Sequence, residues 1–390
     1  MYIDPLVEAL RSGPLLQLPN GHGINCLMYA DDIVVVARDP SSLRQLLLLA
    51  EADSIARGYR FSPSKCVTLT HLNHSQSLYD APMPIEDHFN YLGVEFNCSG
   101  IDEALHVKNR AGKLLKQADA LASIGARYLG FPRICAIRLF KAFLRPGLEY
   151  AITLMVRNKA NLASLDKAQK LAICKILGLH KNSHSVTTLA MAGCPNMTTR
   201  RACLGVSRQN RLVAIYNSPD RLGHALHYVS VGLNEPPPIP APLTRTEIMD
   251  EHFDSRRDAI ATRFGNTIST AGLLLPLSRG IPWSESRMLV LWLLRKFDCF
   301  DASRLCRACS HPIRNQAHVS FCGNISIQLQ DDDRIAPLPD TTITSIAPVE
   351  MVLAQAELLP SASHRATVKA LSEAILNAVN SVFGASGTRT

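Results

Sequence analysis

Cys26-Leu27-Met28-Tyr29-Ala30-Asp31-Asp32-Ile33-Val34-Val35-Val36-Ala37 is the stretch on which the reading of this chain turns. Two short apolar, β-branched-rich runs, 24–29 and 33–37, flank Ala30-Asp31-Asp32, a pattern that predicts a tight β-hairpin. Aspartate is a poor strand former, and two adjacent carboxylates repel. A divalent cation at the tip would offset that repulsion. An ordinary Asp-rich turn is the other reading of those letters. The apolar positions on both sides and the helix cap that follows favour the metal.

Working outward, Asp39-Pro40-Ser41-Ser42 opens a helix, with Asp39 as N-cap and Pro40 at the first helical position. Leu43, Leu46, Leu47 and Ala50 give that helix one apolar face, and Gly58 stops it. Residues 66–69 and 91–96 read as further strands. The first hundred residues are thus an α+β unit. From about 105 to 212 the pattern is helical, with apolar sets such as Leu114, Leu115 and Ala118, then Ile137, Phe140 and Leu144. Breaks are expected at Gly130-Phe131-Pro132, Pro146-Gly147 and Gly193-Cys194-Pro195. Residues 235–242 hold five prolines in eight, which predicts an extended, semi-rigid linker. Beyond it, 247–264 and 285–297 read as helices, 331–340 as an acidic loop, and 363–383 as a last amphipathic helix.

Charge divides the chain more sharply than composition does. Residues 1–103 carry 6 Lys/Arg against 13 Asp/Glu, a net of −7. Residues 104–216 carry 19 against 3, a net of +16, and 217–390 carry 16 against 17, a net of −1. A segment at +16 suits a polyanion, and a phosphate backbone is the usual partner. The other reading is a basic surface on a helical domain. At 390 residues the chain can bury more than one core, and roughly two or three domains are expected. No apolar run approaches the roughly 18 residues that span a bilayer, and no secretory leader is evident. The expected location is intracellular, nucleus or cytoplasm, with no membrane partner. The eleven cysteines then read as free thiols apart from one cluster.

That cluster is Cys306, Cys309, His318 and Cys322, spaced C-x2-C-x8-H-x3-C. A Cys-x2-Cys turn lets two thiolates face one ion. A His and a Cys one helical turn apart complete a tetrahedral Zn²⁺ site. His311 lies too close to Cys309 to serve as the third ligand.

With these residues in place, a resemblance is evident. The 26–37 hairpin resembles motif C of reverse transcriptases, and the landmarks around it follow the order of the non-LTR (LINE-type) retrotransposon family. Met1-Tyr2-Ile3-Asp4-Pro5-Leu6 resembles the tail of the helix after motif B. Gly58-Tyr59-Arg60-Phe61-Ser62-Pro63-Ser64-Lys65-Cys66 resembles motif D, and Tyr91-Leu92-Gly93-Val94 motif E, the primer grip. Phe143-Leu144-Arg145-Pro146-Gly147-Leu148-Glu149-Tyr150 resembles the first part of the helical thumb, and 165–177 a later thumb helix. The Cys306–Cys322 spacing resembles the Cys-Cys-His-Cys motif found downstream of the polymerase in many such elements.

The resemblance implies a fold of class α+β: a partial palm, an all-α thumb, and a mostly helical C-terminal region with a zinc-knuckle-like motif. The corresponding boundaries are 1–103 for the palm with motifs C to E and 104–234 for the basic thumb. The Pro-rich linker is 235–245, the helical region with the Cys/His motif 246–345, and the last helix and tail 346–390. It implies Mg²⁺ (or Mn²⁺) held by Asp31 and Asp32, and Lys65 as proton donor to the departing pyrophosphate. Tyr29 would lie beside the incoming deoxynucleotide, and Tyr91 and Gly93 would position the primer. RNA template and DNA primer or target are the implied partners. The motif A strand with its aspartate, the core of motif B and the fingers are not found in these residues. An RNA-directed DNA polymerase lacking its N-terminal part, inactive alone, is therefore one expectation. The alternative is a non-catalytic nucleic-acid-binding protein that uses the basic helices and the zinc knuckle. A helical protein with a coincidental Asp-Asp turn is disfavoured by the series of landmarks.

Overall fold

The computed structural model describes residues 4–18, 21, 23–72, 75–126, 133–155, 158–233, 235–264, 288–290, 292–293, 305–311, 316–335, 349, 352 and 361–383. The expected break at 130–132, most of the expected helix at 285–297 and the end of the acidic loop, 336–340, lie outside them. The chain divides into two compact units. One comprises Met1–His106, Thr153–Val156 and Leu204–Thr244, the other Val107–Ile152, Arg157–Cys203 and Arg245–Thr390.

In the first unit, helix α1 (Asp4–Arg11) packs on helix α2 (Pro40–Arg57) through Leu6, Leu10, Leu46 and Ala50, all buried. Truncating Leu46, fully buried here, would cost roughly 2–5 kcal/mol. A small ladder, β1 (Leu16–Gln17) with β2 (Gly23–Ile24), precedes the hairpin β3 (Cys26–Tyr29) and β4 (Asp32–Val35). The pairing of β3 with β4 is antiparallel, with Cys26 opposite Val35 and Tyr29 opposite Asp32. The period of two sends Cys26, Met28, Ile33 and Val35 onto the α1–α2 core. Leu27 and Tyr29 face out, 50% and 65% exposed. Buried Asn25 ties the hairpin to α1, donating to the carbonyls of Leu10 (2.6 Å) and Pro14 (3.1 Å).

α2 begins where its cap predicts. Asp39 accepts from the Ser42 N–H at 2.8 Å, Pro40 occupies the first turn, and Gly58 ends the helix at φ 73°. Two strand expectations need correction. Residues 91–96 are not one strand: Leu92-Gly93 forms a turn between β7 (His88–Tyr91) and β8 (Val94–Asn97), and β9 (Gly100–Ile101) extends the sheet. Leu92 and Gly93 both have positive φ (49° and 76°), the two-residue turn whose twist suits a hairpin. Residues 66–69 join no ladder. Thr68 makes one bridge to Ile85, and the strands nearby are the short β5 (Ser77–Leu78) and β6 (Ala81–Pro82). Helix α3 (Glu103–Leu121) follows.

The second unit is helical. Its elements include α4 (Arg133–Leu139), α5 (Arg145–Glu149), α7 (Lys159–Leu177) and α8 (Ser185–Met191); the short α6 (Ile152–Met155), which follows α5 in sequence, falls mostly in the first unit. Pro146-Gly147 does not break the chain as expected. A π-helical stretch, Phe140–Leu144, precedes α5, and Pro146 falls in the first turn of α5, where its missing N–H costs nothing. The break at Gly193-Cys194-Pro195 does occur, between α8 and α9 (Met197–Tyr216), with Gly193 at φ 56°. Back in the first unit, after α10 (Arg221–Gly232), the Pro-rich stretch is non-helical and bonded to the C-terminal half of α9: Gln209 donates to the Ile239 carbonyl at 2.8 Å, and Ala241 N–H to Asn210 at 3.2 Å. α11 (Arg245–Phe264), α12 (Gln316–Cys322), α13 (Ile325–Gln330) and α14 (Ser361–Phe383) complete the described helices used below.

Candidate active site and metal centre

The tip of the β3–β4 hairpin is two residues long, Ala30 and Asp31. Ala30 takes the left-handed conformation at φ 55°, a strain of about 1–2 kcal/mol for a residue with a Cβ. The tight reversal holds Asp31 and Asp32 side by side, both exposed. Asp32 stands opposite Tyr29, so its side chain shares the outer face with that exposed ring.

Lys65 reaches the same place by a different route. Asp53 on α2 accepts from Arg57 Nε and from the Tyr59 hydroxyl, each at 2.8 Å, which fixes the chain as it leaves α2. Phe61 meets Tyr59 edge to face at 5.4 Å, and its N–H donates to the Tyr79 hydroxyl at 3.2 Å. A 3-10 turn, Pro63–Lys65, then presents Lys65 to solvent. Asp31, Asp32 and Lys65 line one cavity of about 500 Å³, walled otherwise mainly by apolar side chains such as Val35, Leu47, Phe61 and Met83.

Tyr91 sits at the end of β7 with Gly93 in the turn beyond it. Burial raises the Tyr91 hydroxyl above its ordinary pKa, and the negative charge of Asp32 raises it further. That coupling brings Tyr91 into the electrostatic reach of the hairpin tip. Sequence reasoning treated the two strands separately and had no signal for this proximity.

A divalent cation fits Asp31 and Asp32 only in part. They offer adjacent, exposed carboxylates, but among the described residues no third His, Cys, Asp or Glu joins them to complete a ligand group. The Cys306 cluster is more complete. The ligand atoms of Cys306, Cys309, His318 and Cys322 all lie within 4.8 Å of one another, and Cys309 Sγ is 3.5 Å from His318 Nε2. Four ligands about a zinc ion stand about 3.8 Å apart for Zn–S bonds of about 2.3 Å, so a small contraction would close the tetrahedron.

The local fold explains the convergence. The Ser310 N–H bonds the Cys306 carbonyl at 2.8 Å and the Cys306 N–H bonds the His311 carbonyl at 2.9 Å, closing the Cys-x2-Cys turn with Ser310 at φ 59°. His318 and Cys322 project from one face of α12. His311 is not among the four, and its Nδ1 lies 2.8 Å from the Cys309 carbonyl oxygen. Hydrogen bonding at the His311 backbone brings the Cys309 thiol down to about 7, whereas desolvation and the neighbouring thiols push Cys322 up to about 12. Packed this closely, the sulfurs do not all ionise without a cation among them.

Among the described residues no helix is long and apolar enough to cross a membrane. No curated protein matches the chain. Residues 1–96, which contain Asp31, Asp32, Lys65, Tyr91 and Gly93, match the family model described as "Reverse transcriptase (RNA-dependent DNA polymerase)".

Proposed function

We propose that residues 1–103 are the part of a polymerase palm that carries motifs C to E of a non-LTR-type reverse transcriptase, and that 104–234 are its nucleic-acid-gripping helices. The observation that carries this reading is that Asp31, Asp32 and Lys65 line one cavity, although Lys65 lies thirty-three positions beyond Asp32. Asp31 and Asp32 hold a divalent cation, Mg²⁺ or Mn²⁺. Bound there, such an ion would supply Lewis-acid activation of the primer 3′-hydroxyl, and a second ion would offset charge on the departing pyrophosphate. Lys65 gives a proton to that leaving group. Tyr29 contacts the incoming nucleotide from the exposed face it shares with Asp32. Tyr91 and Gly93 bear on the primer end. Cys306, Cys309, His318 and Cys322 hold one Zn²⁺ that orders a second nucleic-acid-binding element.

A second reading has its own support. A two-carboxylate site without a third acid ligand among the described residues cannot hold two metals well. On that ground the 390 residues by themselves act as a nucleic-acid-binding protein, and catalysis needs a further carboxylate from a neighbouring palm strand. Primer extension separates the two. The 390-residue chain is expected to extend no primer with Mg²⁺ or Mn²⁺. A longer chain that supplies the further palm aspartate and the fingers is expected to extend, and Asp31→Ala in it to abolish extension. Extension by the 390 residues alone would overturn the claim of incompleteness. Survival of extension in the Asp31→Ala chain would overturn the site.

A further inference from the structure

In the helical unit, three cations meet at one short stretch of backbone, Gly193-Cys194. Arg256, 5% exposed on α11, donates from Nη2 to the Cys194 carbonyl, while its Nη1 is buried with no hydrogen-bond partner. Arg145, at the start of α5, approaches the Cys194 sulfur from Nη1 at 3.9 Å. Lys141, in the π-helical stretch before α5, brings its Nζ to 3.1 Å from where a Cβ on Gly193 would stand. The charge is not matched. Glu149 is taken by Arg145 (2.9 Å) and, in a two-pronged contact, by Arg200 (2.7 and 2.9 Å). Among the described residues no carboxylate pairs with Lys141 or Arg256.

Burial lowers the Lys141 amine, and Arg145 and Arg256 add to that shift, so the cations press on one another. The Cys194 thiol does not neutralise them, because burial pushes it up and keeps it protonated at neutral pH. A buried guanidinium keeps an open N–H at a cost that only a matching acceptor removes. Gly193 is exposed, so the cluster opens to solvent there. One turn before Arg256 on α11, His252 also buries an Nε2 without a partner.

We infer that Lys141, Arg145 and Arg256 form an oxyanion site at Gly193-Cys194 that takes a phosphate group, either free or in a nucleic-acid backbone. Phosphate suits the geometry: its oxygens can engage the fork of Arg256 and the point charge of Lys141 together, and the missing Cβ at Gly193 leaves it room. The inference shares the nucleic-acid reading of the basic helices only in its second source of phosphate. It does not depend on the polymerase reading.

The test uses the full chain with inorganic phosphate as probe, in melts against chloride at matched ionic strength. The melting temperature is expected to rise by about 2–4 °C at phosphate tenfold above its Kd. Lys141→Gln is expected to remove most of that rise while melting near the parent in chloride. Arg256→Lys, if it folds, keeps part of it. A salt titration of single-stranded oligonucleotide binding identifies the source. A slope shallower by about 0.7 in Lys141→Gln means that a backbone phosphate occupies the site. An unchanged slope in Lys141→Gln, where the parent shows the phosphate shift and the variant loses it, means a free phosphate does. No oligonucleotide binding at all, with the phosphate shift intact, sinks the nucleic-acid reading and leaves the site standing. Equal melting in phosphate and chloride together with an unchanged slope in Lys141→Gln overturns the inference, as does a phosphate shift that Lys141→Gln leaves unaltered.

Discussion

Asp39 ends four residues of loop after the hairpin and fixes where α2 begins. Its carboxylate accepts from the Ser42 N–H (2.8 Å) and from the hydroxyls of Ser42 (2.7 Å) and Ser41 (2.8 Å). The Ser42 backbone bond is the main reason its pKa falls to about 2. The folded pKa lies below the unfolded one, so the cap's contribution is fully present above about pH 4. It is lost as pH falls through about 2. Asp39→Ala is therefore expected to lower the melting temperature at pH 7 and to melt like the parent at pH 2. A gap of equal size at both pH values would assign the effect to something other than this carboxylate. At the other site the four ligands are also separable one by one. Cys309→Ser is expected to empty the zinc site and His311→Ala to leave the metal content at one per chain, measured on protein purified with zinc under reducing conditions. Zinc binding must deprotonate Cys322, whose thiol lies near 12, so affinity is expected to rise with pH and protons to be released on binding. A metal content near zero in the parent chain would leave only a group of free thiols.

At the scale of elements, what the sequence revealed and what it hid follow from how local each signal is. The Asp39 cap, the Pro40 start and the Gly58 stop of α2 are carried by neighbouring residues, and the helix lies where they put it. The Asp-Asp hairpin was legible because its register is set by alternation within a dozen residues. The Cys/His cluster was legible because its ligands come from one turn and one helix. The Leu92-Gly93 turn was missed, since a leucine at φ 49° gives no composition signal and the apolar run around it reads as one strand. Pro146 was misread because a π-helical turn, which no residue pattern announces, shifts the bonding so that the proline starts a helix. The Gly193-Cys194 cluster draws on residues more than a hundred positions apart and was not visible at all. One glycine was likewise unreadable in advance. A Cβ on Gly323, just after α12, would stand 2.3 Å from the Ala378 Cβ and 2.6 Å from the Val319 carbonyl. Gly323→Ala is expected to push α12 off α14 and cost about 1–3 kcal/mol, since the neighbour is backbone and a helix-bound methyl. Gly112→Ala, inside α3 where a Cβ meets nothing, is expected instead to stabilise by about 0.5–1 kcal/mol. Thermal melts of the two variants check the pair. Equal effects would mean that helix propensity and not the close approach decides.

Over the whole molecule the charge is separated along the chain, −7 in residues 1–103 and +16 in 104–216, while the total is only +8. Such a segregation raises self-repulsion within the basic segment and has to be offset by a polyanion or by salt. Few carboxylates lie within the basic stretch to face that charge. Its carboxylates in the 104–216 stretch are Asp119, Glu149 and Asp166, and two of them are engaged: Asp119 with Lys175 at 2.6 Å, and Glu149 with Arg145 and Arg200. Asp166 accepts the Met197 N–H at 2.8 Å, and burial raises its carboxyl above the usual carboxylate range. Nineteen cations thus share three carboxylates within this stretch. The chain is expected to bind RNA and DNA with micromolar-scale affinity and little sequence preference. Its log K should fall linearly with log salt, by about 0.7 for each phosphate contacted on a single strand and about 0.9 on a duplex. The slope therefore counts contacts. Chelating zinc is expected to reduce it if the Cys306 module touches the backbone, and to leave it unchanged if the basic helices bind alone. A salt-insensitive affinity, or none at 50–100 mM salt where binders of this kind are normally seen, would mean that the positive charge serves only to keep the helices apart from their neighbours in solution.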